Sequence, residues 1–107
     1  MKSIPEPPKV YQSFVARYPK LGEAWESIAE AGKDGPLEDK TARLVKLAIA
    51  IGAMREGAVH SSVRKALALD ISKEEIEQVV ALAAGTLGLP STVAAYSWVQ
   101  EVLNREK

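Results

Sequence analysis

The sequence predicts an all-α fold, a compact bundle of five to six helices joined by short loops. Apolar residues recur at helical spacing in the segments between the breaks, and no segment shows a sustained alternation of apolar and polar residues. The breaks themselves carry proline and glycine, which end helices and open turns. With 107 residues, 47% of them apolar and 26% charged, the chain fits one globular domain with a core of modest size.

The first nine residues are predicted to form an extended arm ahead of a single helical domain at residues 10–107. Pro5, Pro7 and Pro8 fix φ in this arm and remove backbone hydrogen-bond donors. The same stretch lacks the apolar segment of a secretory signal peptide. No apolar run in the sequence is long enough to span a membrane. We therefore expect a cytoplasmic protein with no membrane partner.

The first half of the chain contains three predicted helices. Two of them, at residues 10–18 and 21–31, are separated by Pro19 and end at a glycine-containing break. A third opens at Pro36, a residue type suited to the first helical position. From residue 44 to residue 54 this helix is apolar nearly all round, and such a helix is usually buried on all sides. The pattern predicts that it lies at the centre of the domain.

The second half carries the strongest local signals. A fourth helix begins near Glu56 and ends near Asp70, where aspartate can adopt the left-handed conformation that a short break needs. Ser72 and Glu75 then form an S-x-x-E capping box that starts a fifth helix. A glycine-rich turn follows, and Pro90 starts the last helix.

The composition excludes several classes of function. Fourteen basic and fourteen acidic residues cancel, so the chain lacks the excess of positive charge typical of nucleic-acid-binding proteins. The absence of cysteine excludes disulfides, thiol nucleophiles and CxxC redox chemistry. A single histidine does not favour a zinc site within one chain, although carboxylates alone or histidines meeting across a symmetry axis could hold a metal. We therefore predict no cofactor and no metal.

The candidate chemistry lies in the stretch MREGAVHSSVRKAL, which contains the single histidine, His60. Glu56 precedes it by four residues, so the two share one face of a helix. A carboxylate there can hold the imidazole in one tautomer, and an oriented imidazole can act as an acid or a base near neutral pH. We take His60 and Glu56 as the candidate catalytic pair. The candidate substrate-binding residues are Arg55, Arg64 and Ser62.

The alternative interpretation of this stretch is an ordinary polar patch. Glu56 would then favour the positive end of the helix dipole, and His60 would lie half-exposed at the edge of an apolar stripe. A serine hydrolase is not favoured, because neighbours on a helix point about 100° apart and His60 does not face Ser61. The sequence also lacks a G-x-S-x-G motif.

Residues 37–103 resemble the carboxymuconolactone decarboxylase family, which also contains the alkylhydroperoxidase D-like proteins. The resemblance lies in the order of an apolar helix, a VRKAL helix, an SKEEI cap and a GLP turn before the final helix. It implies an all-helical chain that assembles into a trimer or hexamer. It also implies a cofactor-independent lyase or isomerase whose ligand is a small lactone or carboxylate.

The sequence departs from the reactive residues of that family. The C-x-x-C-x-x-x-H pattern of the peroxidase branch falls on Arg55, Ala58 and Ser62, and the glutamate before it falls on Arg43. The decarboxylase branch also has histidine at the position of Ser62. His60 lies two positions earlier, about 200° round the helix. These departures from the family pattern exclude CxxC peroxidase chemistry. It leaves two alternatives, the lyase or isomerase and a non-catalytic homo-oligomer that binds a small molecule or a partner.

Overall fold

A computed structural model of the chain describes residues 7–105, and all regular structure in that range is α-helical, which confirms the predicted class. Of the predicted arm at residues 1–9, the first six residues lie outside the described range. None of the described helices is long and apolar enough to cross a membrane. The six helices are α1 (Lys9–Arg17), α2 (Pro19–Ala31), α3 (Asp39–Gly52), α4 (Glu56–Ala68), α5 (Lys73–Leu87) and α6 (Leu89–Arg105).

The helices divide between two compact units, one formed by residues 7–37 and the other by residues 38–105. In the smaller unit, α1 and α2 pack on each other, and Pro19 occupies the first turn of α2, where its missing N–H costs nothing. The two helices approach closely at Gly22, where an added Cβ would lie 3.1 Å from the Cβ of Val15. Glycine therefore permits the spacing of this helix pair. Neither helix contains a buried residue.

The larger unit contains helices α3 to α6 and a continuous apolar core. Helix α3 packs on α4 and α5, while α6 packs on the same two helices. The buried side chains recur three or four residues apart along each helix, which is the spacing of one helical face. Burial of each large apolar side chain contributes about 1.5–3 kcal/mol. The core residues are Leu47, Ala50, Ile51, Val59, Val63, Ala66, Leu67, Ile71, Ile76, Val80, Ala95, Val99, Val102 and Leu103.

The prediction that the third helix is buried on all sides is wrong within this chain. Leu47 and Ile51 are fully buried, but Val45 is 43% exposed and Ile49 is 64% exposed. The reason is that α4 and α5 cover only one side of α3. An all-apolar composition does not specify how many neighbouring helices will cover a helix. The helix also begins at Asp39 rather than at Pro36, which lies in the preceding turn.

The turns that join α3 to α4 and α4 to α5 each use a non-glycine residue with positive φ. Asp70 has a φ of 62°, as the break after α4 predicts. Met54 has a φ of 54°, which the sequence did not indicate, because a long apolar side chain rarely adopts this region. Its amide donates to the carbonyl of Ile51 at 2.9 Å, and the chain then reverses into α4. Position 54 thus carries local backbone strain.

The predicted capping box at the start of α5 is confirmed. The amide of Glu75 donates to Ser72 Oγ at 3.0 Å, and the amide of Ser72 donates to Glu75 Oε1 at 2.9 Å. The hydrogen bond from the backbone amide of Ser72 lowers the pKa of the Glu75 carboxyl, and the Ser72 side chain and the charge of Lys40 add to the effect. The box satisfies amide donors that the first turn of a helix leaves without partners.

Replacement of Ile51 by alanine is expected to lower the free energy of unfolding by about 2–5 kcal/mol, because it opens a cavity in the core. The matched change Ile49→Ala should cost about 0.5 kcal/mol or less in a single chain, since that side chain is largely in solvent. Denaturant unfolding measures both. Equal losses at all protein concentrations would contradict the one-sided burial of α3. A loss in Ile49→Ala that grows with protein concentration would instead report self-association.

Replacement of Ser72 by alanine is expected to cost about 1 kcal/mol through loss of the helix cap. Ser97, an exposed serine inside α6, provides the control, and Ser97→Ala should be nearly neutral.

The contribution of the Glu75 carboxylate to the free energy of unfolding should be present above its unfolded pKa near 4.5 and lost as the pH falls through the lower folded value. Urea unfolding of wild type and Glu75→Gln between neutral and acidic pH measures this. A stability difference that persists at the acidic end would contradict the assignment.

Candidate functional site

His60 lies on α4, where the core fixes its position. The flanking Val59 and Val63 are fully buried, so this turn of α4 cannot rotate without exposing them. The His60 side chain lies at the edge of the buried stripe and is 18% exposed. Its imidazole is therefore both held in place and accessible to solvent.

The partner of the imidazole comes from a different helix. His60 Nε2 lies 2.8 Å from Glu101 Oε1, although the two residues are 41 positions apart in the sequence. Glu101 is on α6 beside the buried Val102, and its own side chain is 49% exposed. Sequence reasoning missed Glu101, because nothing local distinguishes it from other glutamates on the solvent side of a helix. Only the packing of α4 on α6 brings it to His60.

Glu56 completes the cluster from the first turn of α4. It is exposed, and a carboxylate oxygen of Glu56, a ring nitrogen of His60 and a carboxylate oxygen of Glu101 all lie within 4.8 Å of one another. The four-residue spacing thus brings Glu56 near His60, as expected on a helix. The hydrogen bond to the ring, however, is made by Glu101. Together these residues form the Glu56–His60–Glu101 cluster.

The hydrogen bond determines what the imidazole can do. An ionised carboxylate can only accept, so Nε2–H donates to Glu101, and the lone pair of the neutral ring lies on Nδ1. If the ring gains a proton, the resulting imidazolium lies close to the carboxylates of Glu56 and Glu101. Such a ring can accept a proton on Nδ1 and return it. This is the chemistry of a general base that becomes a general acid.

The candidate substrate-binding residues occupy different sides of α4. Arg55 precedes the helix at its N-cap and is exposed. Arg64 is partly exposed and lies one turn beyond His60, on the same face. Ser62 is only 6% exposed and belongs to the buried side of the helix. The structure thus places Arg64 on the face of His60 and Ser62 away from it.

The positions that match the family's reactive residues form no equivalent site. Ala58 is exposed and Ser62 is buried, and neither carries a group that could replace a thiol or an imidazole. Arg43 lies on α3 and is partly buried, and burial lowers the pKa of its guanidinium from its usual high value. With no cysteine in the chain, peroxidase chemistry by the CxxC route is excluded.

An apolar groove of about 580 Å³ lies between α3 and α5. Its volume falls within the range of small-molecule sites. His60 and the two glutamates beside it are not among the residues that line it. The groove and the Glu56–His60–Glu101 cluster are therefore separate features. The lining residues are Thr41, Leu44, Val45, Ala48, Gly52, Glu75, Gln78, Val79, Leu82, Ala83, Thr86 and Leu87.

Comparisons with known proteins agree on one family. The profile of the carboxymuconolactone decarboxylase family matches residues 19–101. The chain is also similar to a carboxymuconolactone decarboxylase family protein from Legionella pneumophila, whose crystal structure was solved in the apo form. The two share 25% sequence identity with a TM-score of 0.80, over 92% of this chain and 89% of the other. No curated protein sequence matches the chain.

The hydrogen bond from His60 to Glu101 predicts the tautomer of the ring. Under alkaline conditions in which the imidazole is neutral, nitrogen-15 NMR should show the proton on Nε2. Glu101→Ala should shift the population toward the other tautomer, because the acceptor is gone. Glu56→Ala is the matched control, since it removes a nearby carboxylate without removing the acceptor at 2.8 Å. A wild-type ring with its proton on Nδ1 would contradict the assignment.

Proposed function

This chain belongs to the carboxymuconolactone decarboxylase family, and we propose that it is a cofactor-independent lyase or isomerase acting on a small lactone that carries a carboxylate. The observation that carries this proposal is the 2.8 Å hydrogen bond between His60 and Glu101. It gives the chain an oriented, solvent-accessible imidazole where the family's usual reactive residues are absent. The family supports the substrate class, and the cluster supports the reaction type.

In the proposed reaction His60 acts as base and then as acid. Nδ1 takes a proton from the carbon next to the lactone carbonyl, which leaves an enolate and an imidazolium. The imidazolium returns that proton to a carbon further along the conjugated system, so a double bond moves and no atom is gained or lost. In the decarboxylation variant, the ring starts as an imidazolium whose second proton comes from water. The bond to the carboxylate carbon breaks, CO₂ leaves, and the imidazolium gives its Nδ1 proton to the remaining electron pair, which restores the neutral ring.

The neighbouring residues have separate proposed roles. Glu101 positions the ring and, with Glu56, stabilises the imidazolium. Two carboxylates repel a substrate carboxylate, so the anion needs a cation at a distance from them. Arg64, one turn beyond His60 on the same face, is suited to that role, and Arg55 is the other candidate. The ring of the substrate then lies between the arginine and the imidazole.

The apolar groove supports a second candidate, a non-catalytic protein that holds a small apolar molecule between α3 and α5. Self-association into a trimer or hexamer belongs to either proposal. Ile49 is 64% exposed and Leu82 is 71% exposed, and association would remove such side chains from water. The two candidates place function on different surfaces, so separate variants distinguish them.

The test is turnover of small unsaturated lactone acids, followed by NMR as proton exchange in D₂O and as loss of CO₂. His60→Gln should lower kcat/KM by about 10²–10⁴-fold, the usual range for a general acid–base residue. Glu101→Gln should lower kcat, because it removes the charge that stabilises the imidazolium. Ser61→Ala is the control, since that hydroxyl points about 100° away from His60 and should not matter.

Unchanged turnover in His60→Gln would overturn the catalytic proposal. Ala48→Phe, which places a large side chain in the groove, separates the two candidates. A catalyst at His60 should tolerate it. A binding protein should lose its ligand, detected by native mass spectrometry of the purified chain, while His60→Gln keeps the ligand.

A further inference from the structure

The Glu56–His60–Glu101 cluster is also a set of metal ligands, and we propose that it binds one Zn²⁺ ion through its three side chains, with the remaining coordination positions open to water. This inference goes beyond the proposed function and does not rest on it, since it concerns binding alone. It would hold for a chain without any turnover.

The geometry of the cluster is close to that of a zinc site. Zinc binds histidine nitrogen and carboxylate oxygen at about 2.0–2.2 Å, which places tetrahedral ligand atoms about 3.4 Å apart. His60 Nε2 and Glu101 Oε1 are 2.8 Å apart, and all three candidate ligand atoms lie within 4.8 Å of one another. The first separation is shorter than the required value, and the second figure is an upper limit that contains it. A rotation of the exposed Glu56 side chain and a slight opening of the other pair bring them to it.

The charge and chemistry of the cluster favour a divalent transition metal over other ligands. Two ionised carboxylates and a neutral imidazole carry a charge of about −2, which a divalent cation neutralises. The imidazole favours zinc, cobalt or nickel, whereas magnesium and calcium prefer an all-oxygen set. Three protein ligands with an open position are typical of accessible zinc sites. An anion, by contrast, meets two negative charges there.

The core holds two of the ligands in place without help from the metal. His60 lies between the buried Val59 and Val63 on α4, and Glu101 precedes the buried Val102 on α6. Because α4 and α6 pack on each other, the two backbone positions are fixed before any ion binds. Glu56, in the exposed first turn of α4, makes the larger adjustment, while the side chains of His60 and Glu101 separate slightly. The entropy lost on binding is therefore confined to a few side-chain torsions.

The bound ion and the existing hydrogen bond exclude each other. Nε2 carries the proton that it donates to Glu101, and zinc coordination at Nε2 requires that nitrogen to give up the proton. The ring proton then lies on Nδ1, so the tautomer reports occupancy of the site. A zinc-loaded chain could not make the proton transfer proposed above. For that reason, binding is measured without substrate.

The experiment uses the untagged chain of residues 1–107 after treatment with a chelating resin. Zinc binding is measured by calorimetry, and Co²⁺ binding is followed by its visible absorption. Because the chain has one histidine, paramagnetic broadening of imidazole proton signals by Co²⁺ can only come from His60. We expect one ion per chain, and an excess of Mg²⁺ should not displace it.

Four variants locate the site. His60→Ala, Glu101→Gln and Glu56→Gln should each weaken binding at least about tenfold, since even outer-shell partners of a metal are worth about 10–100-fold. Glu74→Gln, at an exposed glutamate outside the cluster, is the matched control and should bind as wild type does. Circular dichroism checks that each variant is folded. Glu56→Gln changes an exposed side chain, so it should leave the fold intact. Absence of binding at about 1 mM metal, or equal binding by wild type and any of the three ligand variants, would overturn the proposal.

Discussion

The packing of α4 between α3 and α6 is the constraint on which the rest of the larger unit depends. One face of α4 buries Val59, Val63 and Leu67, and these side chains interlock with those of the two neighbouring helices. With that face packed in the core, the side chains at the edge of the buried stripe have fixed directions. The imidazole of His60 must then emerge beside α6, where Glu101 meets it. The candidate site is thus a consequence of core packing rather than of a loop.

The same helix explains how a family scaffold persists without the family's reactive groups. Ser62, at the position of the family's histidine, lies on the buried side of α4, and the chain has no cysteine at Arg55 or Ala58. His60 lies about 200° away from Ser62 around the helix axis. His60 therefore faces α6, where its hydrogen-bond partner is Glu101. A fold can therefore retain its core while the candidate reactive side chains of one helix lie on a different face of that helix.

Helix α3 shows why composition and burial are different quantities. Its sequence is apolar nearly all round, yet Ile49 stays 64% exposed while Ile51, two positions later, is fully buried. A single chain of this size supplies neighbours for only one side of the helix. The groove between α3 and α5 is one apolar surface along this helix, and Val45 and Ala48 are among the residues that line it. The described part of the larger unit therefore carries both a polar cluster and an apolar groove, and each supports a different kind of ligand.

The sequence by itself determined the class of fold, most helix boundaries and the cap formed by Ser72 and Glu75, because helical periodicity, proline, glycine and capping residues act within a few positions along the chain. It also excluded thiol chemistry, since that depends only on composition. It singled out His60 and Glu56, whose spacing is local. Tertiary structure alone decided that Glu101 is the hydrogen-bond partner and that α3 is covered on one side. Both depend on which helix faces meet, and that choice is made by packing among residues far apart in the sequence.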